Sequence, residues 1–204
     1  MAGLRERKKE QTCRRITAAA MRLFAERGFE AVTVNEIAEA AEVAKATLFA
    51  YFPTKESLVL RGVGEDDPAG AVTGRPAGTS PLEALRAHYH GLAAVPVPAD
   101  AMDRDELITR IRVITESPAL TAAAGALLYR QRRELARALE EEYGEPVAAL
   151  TAAQVTASVQ TVQETFFGRL MAGASPEEAG ARLAGDIDLA FDLLRHGIER
   201  SEGH

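Results

Sequence analysis

Gly28-Phe29-Glu30-Ala31-Val32-Thr33-Val34-Asn35-Glu36-Ile37-Ala38, continued by Ala44-Lys45-Ala46-Thr47-Leu48-Phe49-Ala50-Tyr51-Phe52 and Lys55-Glu56-Ser57-Leu58, decides the fold. Thr33 and Glu36 have the T-x-x-E spacing of a capping box, in which hydroxyl and carboxylate each satisfy a backbone N–H of the other residue. A helix therefore starts at about Val34, and Val34, Ile37, Ala38 and Ala41 give it a short-chained apolar face. Glu42-Val43-Ala44 interrupts. A second short helix from about Ala44 to Tyr51 sends Leu48 and Phe52 inward. Two short helices around a tight turn form a helix-turn-helix, which can place one helix in a DNA groove.

The outer side of the second helix carries Lys45, Ala46, Thr47, Phe49 and Tyr51. A groove-reading helix needs small residues for close approach, and hydroxyls and a cation for phosphates and base edges. Ala46 is small enough, and Thr47 and Tyr51 can donate to phosphate. Lys55, behind a Thr54 cap, is expected to join the N–H groups of the following helix N-terminus in holding a phosphate. Thr33, Lys45, Ala46, Thr47, Phe49, Tyr51 and Lys55 are thus the candidate DNA-binding residues.

This stretch resembles the DNA-binding domain of the TetR family of bacterial transcriptional regulators, strongly over about Arg14 to Leu60. The matching residues are Ala25-Glu26-Arg27-Gly28-Phe29, Thr33, Ile37-Ala38, Ala41, Val43, Lys45, Thr47-Leu48, Tyr51-Phe52 and Lys55-Glu56-Ser57-Leu58. Three positions depart from the family pattern. Glu42 stands where Gly is usual, and a left-handed conformation there costs about 1 kcal/mol relative to Gly. Ala44 removes a capping hydroxyl, worth about 1 kcal/mol. Phe49 removes a phosphate donor where Tyr is frequent. These bear on the details of DNA contact and leave the fold intact.

The resemblance implies an all-α chain: an N-terminal three-helix DNA-binding head (residues 1–54) and a helical body for effector binding and dimerisation (residues 55–204). It implies a ligand-responsive regulator, most often a repressor, that binds a pseudo-palindromic double-stranded operator as a homodimer and is released by a small effector. Two other readings remain open: a constitutive DNA-binding protein without effector, and a small-molecule carrier or enzyme.

Composition fits the first of these. In 204 residues with a net charge of −6, residues 1–55 hold ten Lys/Arg against seven Glu, a balance of +3 that leaves −9 for the rest. A basic head on an acidic body suits a chain of which only the head meets nucleic acid. The run Arg5-Glu6-Arg7-Lys8-Lys9 either reaches phosphates or is a solvated end. Cys13 is the only cysteine, so no disulfide framework forms within one chain and a cytoplasmic location fits. Cys13 reads as a packed side chain, with redox sensing as the alternative. No signal segment or apolar run long enough to span a membrane is seen.

Periodicity predicts the remaining helices. The first runs from about Lys9 to Arg27 on Ile16, Ala19, Ala20, Leu23 and Phe24, and Gly28 ends it. A fourth follows Thr54 to about Gly62. The glycines and prolines of residues 62–79 read as a flexible loop. Ser80-Pro81-Leu82-Glu83 starts a helix that ends before the stiff Val95-Pro96-Val97-Pro98. The next, capped within Asp103 to Glu106, buries Leu107, Ile108, Ile111 and Ile114. Ser117-Pro118 starts another on Leu120, Ala124, Leu128, Leu135 and Leu139, and Arg130, Arg132, Arg133, Arg137, Glu140, Glu141 and Glu142 form its solvated face. Thr151 to about Ala172, and the helix begun by Ser175-Pro176-Glu177-Glu178 and running to Ile198, carry apolar residues on more than one face. Phe167, Met171, Leu189 and Leu193 are the expected dimer contacts, in the four-helix bundle the resemblance implies.

No nucleophile–base pair, metal-ligand spacing or phosphate-cradling loop appears, so no catalytic residue, metal or cofactor is assigned. His88 and His90, two apart on a helix, point away from each other. Polar groups on apolar stripes are the pointers to an effector pocket: His88, Thr115, Gln131 and Gln163, with Ile111, Phe166 and Phe167 beside them. Each is alternatively a satisfied core polar group. The lining favours an apolar or amphipathic effector.

Overall fold

The computed structural model of the chain describes residues 2–94 and 104–197. Among these, α-helices make up all the regular structure, with no strand, in keeping with the all-α expectation. The Val95–Pro98 connection, the Asp103 cap, Ile198 and the side chain of Arg5 lie outside the described residues.

The helices fall into two compact units, between which the chain passes at 65/66, 104/105 and 126/127. The first holds α1 (Ala2–Arg27), α2 (Val34–Ala40), α3 (Lys45–Tyr51), α4 (Ser57–Leu60), nearly all of α7 (Arg104–Glu116) and the first turns of α8 (Pro118–Tyr143). The second holds α5 (Pro68–Thr73), α6 (Pro81–Ala94), the rest of α8, α9 (Glu145–Met171) and α10 (Pro176–His196). The first unit thus reaches beyond residue 54, where the sequence places the end of the head, and recruits residues from past 104.

In the first unit Ile16, Ala20, Phe24, Ile37, Leu48, Leu58 and Val59 are fully buried. Each such large apolar side chain is worth roughly 1.5–3 kcal/mol on burial. Gly28, at φ 81, ends α1 in the left-handed region that glycine enters at no steric cost, and its N–H donates to Phe24 O at 2.8 Å. Two tertiary links tie α7 and α8 into this unit. Arg110 Nε donates to Val59 O at 2.7 Å, and the Ser117 hydroxyl donates to Glu30 Oε1 at 2.6 Å. The same hydroxyl accepts the Leu120 N–H at 3.2 Å, so Ser117 caps α8 as its Ser-Pro start predicts. On α7 the buried residue is Val113, while Leu107, Ile108, Ile111 and Ile114 are only half-buried.

The second unit's core brings together Val72, Leu85, Tyr89, Leu135, Leu139, Ala148, Ala152, Val155, Val162, Ile187 and Phe191. Val72 corrects the expectation of a flexible loop over residues 62–79. Asp67 accepts the Gly70 N–H at 2.7 Å, Pro68 sits in the first turn, and α5 turns Val72 wholly into the core. Arg75 then holds the rest of the segment by donating to Val72 O and Thr79 O, and it pairs with Glu142. Glycine and proline content masked an Asp-Pro helix start with a single apolar anchor. α9 also begins earlier than expected, at Glu145 with Pro146 in its first turn.

Candidate nucleic-acid interface and effector cavity

The helix-turn-helix is assembled by contacts between near neighbours. The Glu36 N–H donates to Thr33 Oγ1 at 3.3 Å, and the Thr33 N–H donates to Glu36 Oε2 at 2.8 Å, completing the capping box. Arg27 Nη1 adds a bond to Glu36 Oε1 at 2.6 Å. The Thr33 hydroxyl and N–H, and then the Arg27 guanidinium, hold the Glu36 carboxyl down to about 2. In the turn, Glu42 has φ 51, the left-handed conformation its place predicts. Ala44, at the N-cap of α3, makes no side-chain cap bond.

With Leu48 fully buried, α3 turns Lys45, Ala46, Phe49 and Ala50 to solvent, and leaves Thr47 and Tyr51 half-exposed beside them. Phe49 is 40% exposed, and Lys45 Nζ stands 6.0 Å from its ring centroid. This face is thin, carries one cation and holds no acidic side chain, which suits approach to a polyanion. Thr33 is exposed at the start of α2, its hydroxyl donating to Glu36 Oε2 at 2.7 Å.

Lys55 has a different setting from the expected one. Its helix begins only at Ser57, where Thr54 Oγ1 accepts the Ser57 N–H at 3.1 Å. Lys55 Nζ lies 4.2 Å from the Phe29 ring centroid and 5.8 Å from that of Phe24, an ammonium packed on aromatic faces. Burial pushes its pKa down, against the pull of Glu30, Glu56 and Glu36.

The second unit contains a cavity of about 210 Å³ between α6, α9 and α10. Its lining is Tyr89, Leu92 and Ala93 from α6, Val159, Val162 and Gln163 from α9, and Leu183, Ile187, Ala190 and Phe191 from α10. Of the expected pocket residues the cavity takes Gln163. His88 and Gln131 gather elsewhere in this unit, around Asp66: Gln131 Nε2 donates to Asp66 O at 2.7 Å and to Oδ1 at 2.8 Å, and His88 Nε2 lies buried 3.8 Å from Oδ2. They are a structural cluster that fixes the approach to α5. Ile111 and Thr115 belong to the first unit, where the Thr115 hydroxyl bonds back to Ile111 O at 3.0 Å. Phe166 and Phe167 pack edge-to-face at 5.4 Å, outside the lining. Helical spacing places residues on a face but does not say which face meets a void, so Leu183, Ile187 and Phe191 read as plain core from the sequence.

Ion pairs lace α6 to α10 beside this cavity. Arg86 Nε donates to Asp188 Oδ1 at 2.9 Å and Arg86 Nη1 to Asp192 Oδ1 at 3.1 Å, His90 Nε2 lies 2.7 Å from Asp188 Oδ1, and Arg195 Nη2 donates to Glu83 Oε1 at 3.0 Å. No group of side chains able to hold a metal occurs among the described residues, and no helix among them is long and apolar enough to cross a membrane. Of the expected dimer residues, Met171 and Leu189 are 57% and 58% exposed, and Phe167 and Leu193 are half-buried.

Comparison with known proteins places the helix-turn-helix in a family. Residues 16–61 match the family described as "Bacterial regulatory proteins, tetR family". The HTH-type transcriptional regulator TcmR of Streptomyces glaucescens is 38% identical over 92 residues, 44% of this chain and 41% of TcmR, so that match spans less than half of the relative. The HTH-type transcriptional repressor KstR of Rhodococcus jostii is 27% identical over 188 residues, 89% of this chain and 81% of KstR. Among solved structures, NalD of Pseudomonas aeruginosa superposes with a TM-score of 0.53 over 90% of this chain and 97% of its own, at 15% identity, which is a likeness of fold. The capped frame, the exposed α3 and these matches together make residues 16–61 a helix-turn-helix region similar to that of the TetR family of bacterial regulatory proteins.

Proposed function

We propose that the chain is a cytoplasmic, homodimeric repressor that a small, largely apolar effector releases from a pseudo-palindromic operator. The observation that carries this reading is the exposed, acid-free face of α3 on its capped frame. Two copies of α3 would enter successive major grooves about 34–36 Å apart. Lys45, Thr47 and Tyr51 would bond phosphates or base edges, Ala46 would allow close approach, Phe49 would lie against sugar or thymine methyl, and Thr33 and Lys55 would flank them. Exposed Met171 and Leu189, with Phe167 and Leu193, would meet their copies across the two-fold axis. Repression is supported by the likeness to KstR, a named repressor matched over most of its length. The effector would occupy the α6–α9–α10 cavity. A preference for the DNA-incompetent form of about 1–3 kcal/mol would weaken operator binding 5–150-fold.

Footprinting on the DNA upstream of the protein's own gene is expected to show one protected pseudo-palindrome. A chain that stays monomeric in solution and retards no fragment at low salt would overturn the reading. Lys45→Ala and Lys55→Ala are each expected to weaken operator and random DNA alike and to lower the salt slope by about one. The two separate in thermal melts. Lys45→Ala leaves stability unchanged, whereas Lys55→Ala also loses the cation over Phe29, worth about 0.5–1 kcal/mol.

A further inference from the structure

The chemistry of the cavity narrows its occupant, an inference that rests on the effector reading above. Eight of the ten lining residues carry only hydrocarbon side chains: Leu92, Ala93, Val159, Val162, Leu183, Ile187, Ala190 and Phe191. Burial, then the Asp66 charge, push the Tyr89 pKa up, so the phenol stays neutral. The nearby charges on α6 and α10 are spent on each other, Arg86 on Asp188 and Asp192, and His90 on Asp188. A carboxylate or ammonium placed in this lining would lose its water and find no counter-charge. Gln163 is the exception. It lies at an exposed position of the lining, as does Leu92 at 46% exposure, while Ile187 and Phe191 are buried. Gln163 therefore marks the mouth, and the hydrocarbon wall lies inside.

We infer that the cavity selects an uncharged, ring-like apolar molecule bearing one hydroxyl or carbonyl group, which Gln163 receives at the mouth while the hydrocarbon part sits against Ile187 and Phe191. Size sets the scale. A dry apolar cavity of about 150 Å³ holds a benzene ring, so about 210 Å³ fits a fused pair of rings. The carboxamide offers both a donor and an acceptor, so either a hydroxyl or a carbonyl is recognised.

The test uses the full chain without DNA and three probes of one shape at pH 7: 2-naphthol, naphthalene and 2-naphthoate, measured by equilibrium dialysis. The expected order is 2-naphthol first, naphthalene weaker, and 2-naphthoate unbound. Gln163→Leu, a change at an exposed position, is expected to bring 2-naphthol down about fivefold, to the naphthalene level, the loss of one ordinary hydrogen bond. Ala190→Phe, or Ala93→Phe should the first fail to fold, fills the space and is expected to abolish binding of 2-naphthol. Binding of 2-naphthoate as tight as 2-naphthol, an unchanged 2-naphthol affinity in Gln163→Leu, or binding that survives a folded cavity-filling variant overturns the inference. Operator retardation and its response to 2-naphthol are read separately. Loss of retardation in the ligand-free protein would sink the regulator reading, and unaltered retardation with bound 2-naphthol would sink the effector role, each without touching the ligand preference.

Discussion

The helix-turn-helix and the second unit are held together on different length scales. In the helix-turn-helix the partners are close along the chain: Thr33 with Glu36, three residues apart, Thr54 with Ser57, three apart, and Arg27 with Glu36, nine apart. In the second unit they are remote: Arg86 and Asp188 are 102 residues apart, Glu83 and Arg195 112 apart, and Gln131 and Asp66 65 apart. Local partners can be read as patterns, because spacing alone brings them together. Remote partners meet only after the helices have packed.

The sharpest way to break this comparison is to remove one buried leucine from each unit. Leu48 and Leu85 are both fully buried. Each change to alanine is expected to cost about 2–5 kcal/mol in a denaturant titration, since it loses burial and leaves a void. Their functional consequences should differ. Leu48→Ala, under the recognition face, is expected to abolish operator retardation while 2-naphthol binding persists, and Leu85→Ala to weaken 2-naphthol binding first. Intact retardation in Leu48→Ala would show that α3 is not held by the contact that the sequence pattern points to.

That contrast explains how far the chain could be read in advance. The Thr33–Glu36 box and the inward Leu48 were legible, because each depends on residues within one turn, while the left-handed Glu42 and the uncapped Ala44 were legible only as departures from the family pattern that the stretch resembles. So were the Ser80, Ser117 and Ser175 starts, where a side-chain oxygen sits beside Pro at the head of a helix. The α5 helix was not, since its Gly-rich composition hides the Asp67 cap and the lone Val72 anchor. The cavity was legible only through Gln163. His88 and Gln131 did lie on apolar stripes, but their partner is Asp66, in a segment that composition marks as loop. Lys55 shows the same limit within the head. Its position at a helix start was plain, but the stacking of its amine on Phe29 depends on how α1 ends and how the following turn packs.

A smaller effect tests the turn itself. Glu42 stands at φ 51, where a side chain is strained and glycine is not. Glu42→Gly is expected to raise stability by about 1 kcal/mol. For a chain of this length that corresponds to about 2–4 °C in the melting temperature. A fall in stability would mean that Glu42 makes a compensating contact.

The finest comparison sets one exposed carboxylate of each unit against the other. Glu36 is held down to about 2 by Thr33 and then Arg27. Glu83 is held down to about 2 by Arg195 first and then Ser80. A carboxylate depressed in the folded state stabilises it above the ordinary carboxylate pKa of about 4.5. That contribution falls away as the pH drops from there through about 2. Glu36→Gln and Glu83→Gln are therefore expected to be less stable than the parent chain at pH 6 and equal to it near pH 2. Salt should separate them: the Glu36 carboxylate is held first by short bonds from the Thr33 hydroxyl and N–H, which survive, whereas the Glu83–Arg195 pair is exposed and screened. Raising the ionic strength at pH 6 should shrink the Glu83→Gln deficit more than that of Glu36→Gln. An acid-independent deficit at Glu36 would mean that Thr33 and Glu36 matter through packing, and the legibility of the head would then rest on its apolar spacing rather than on its caps.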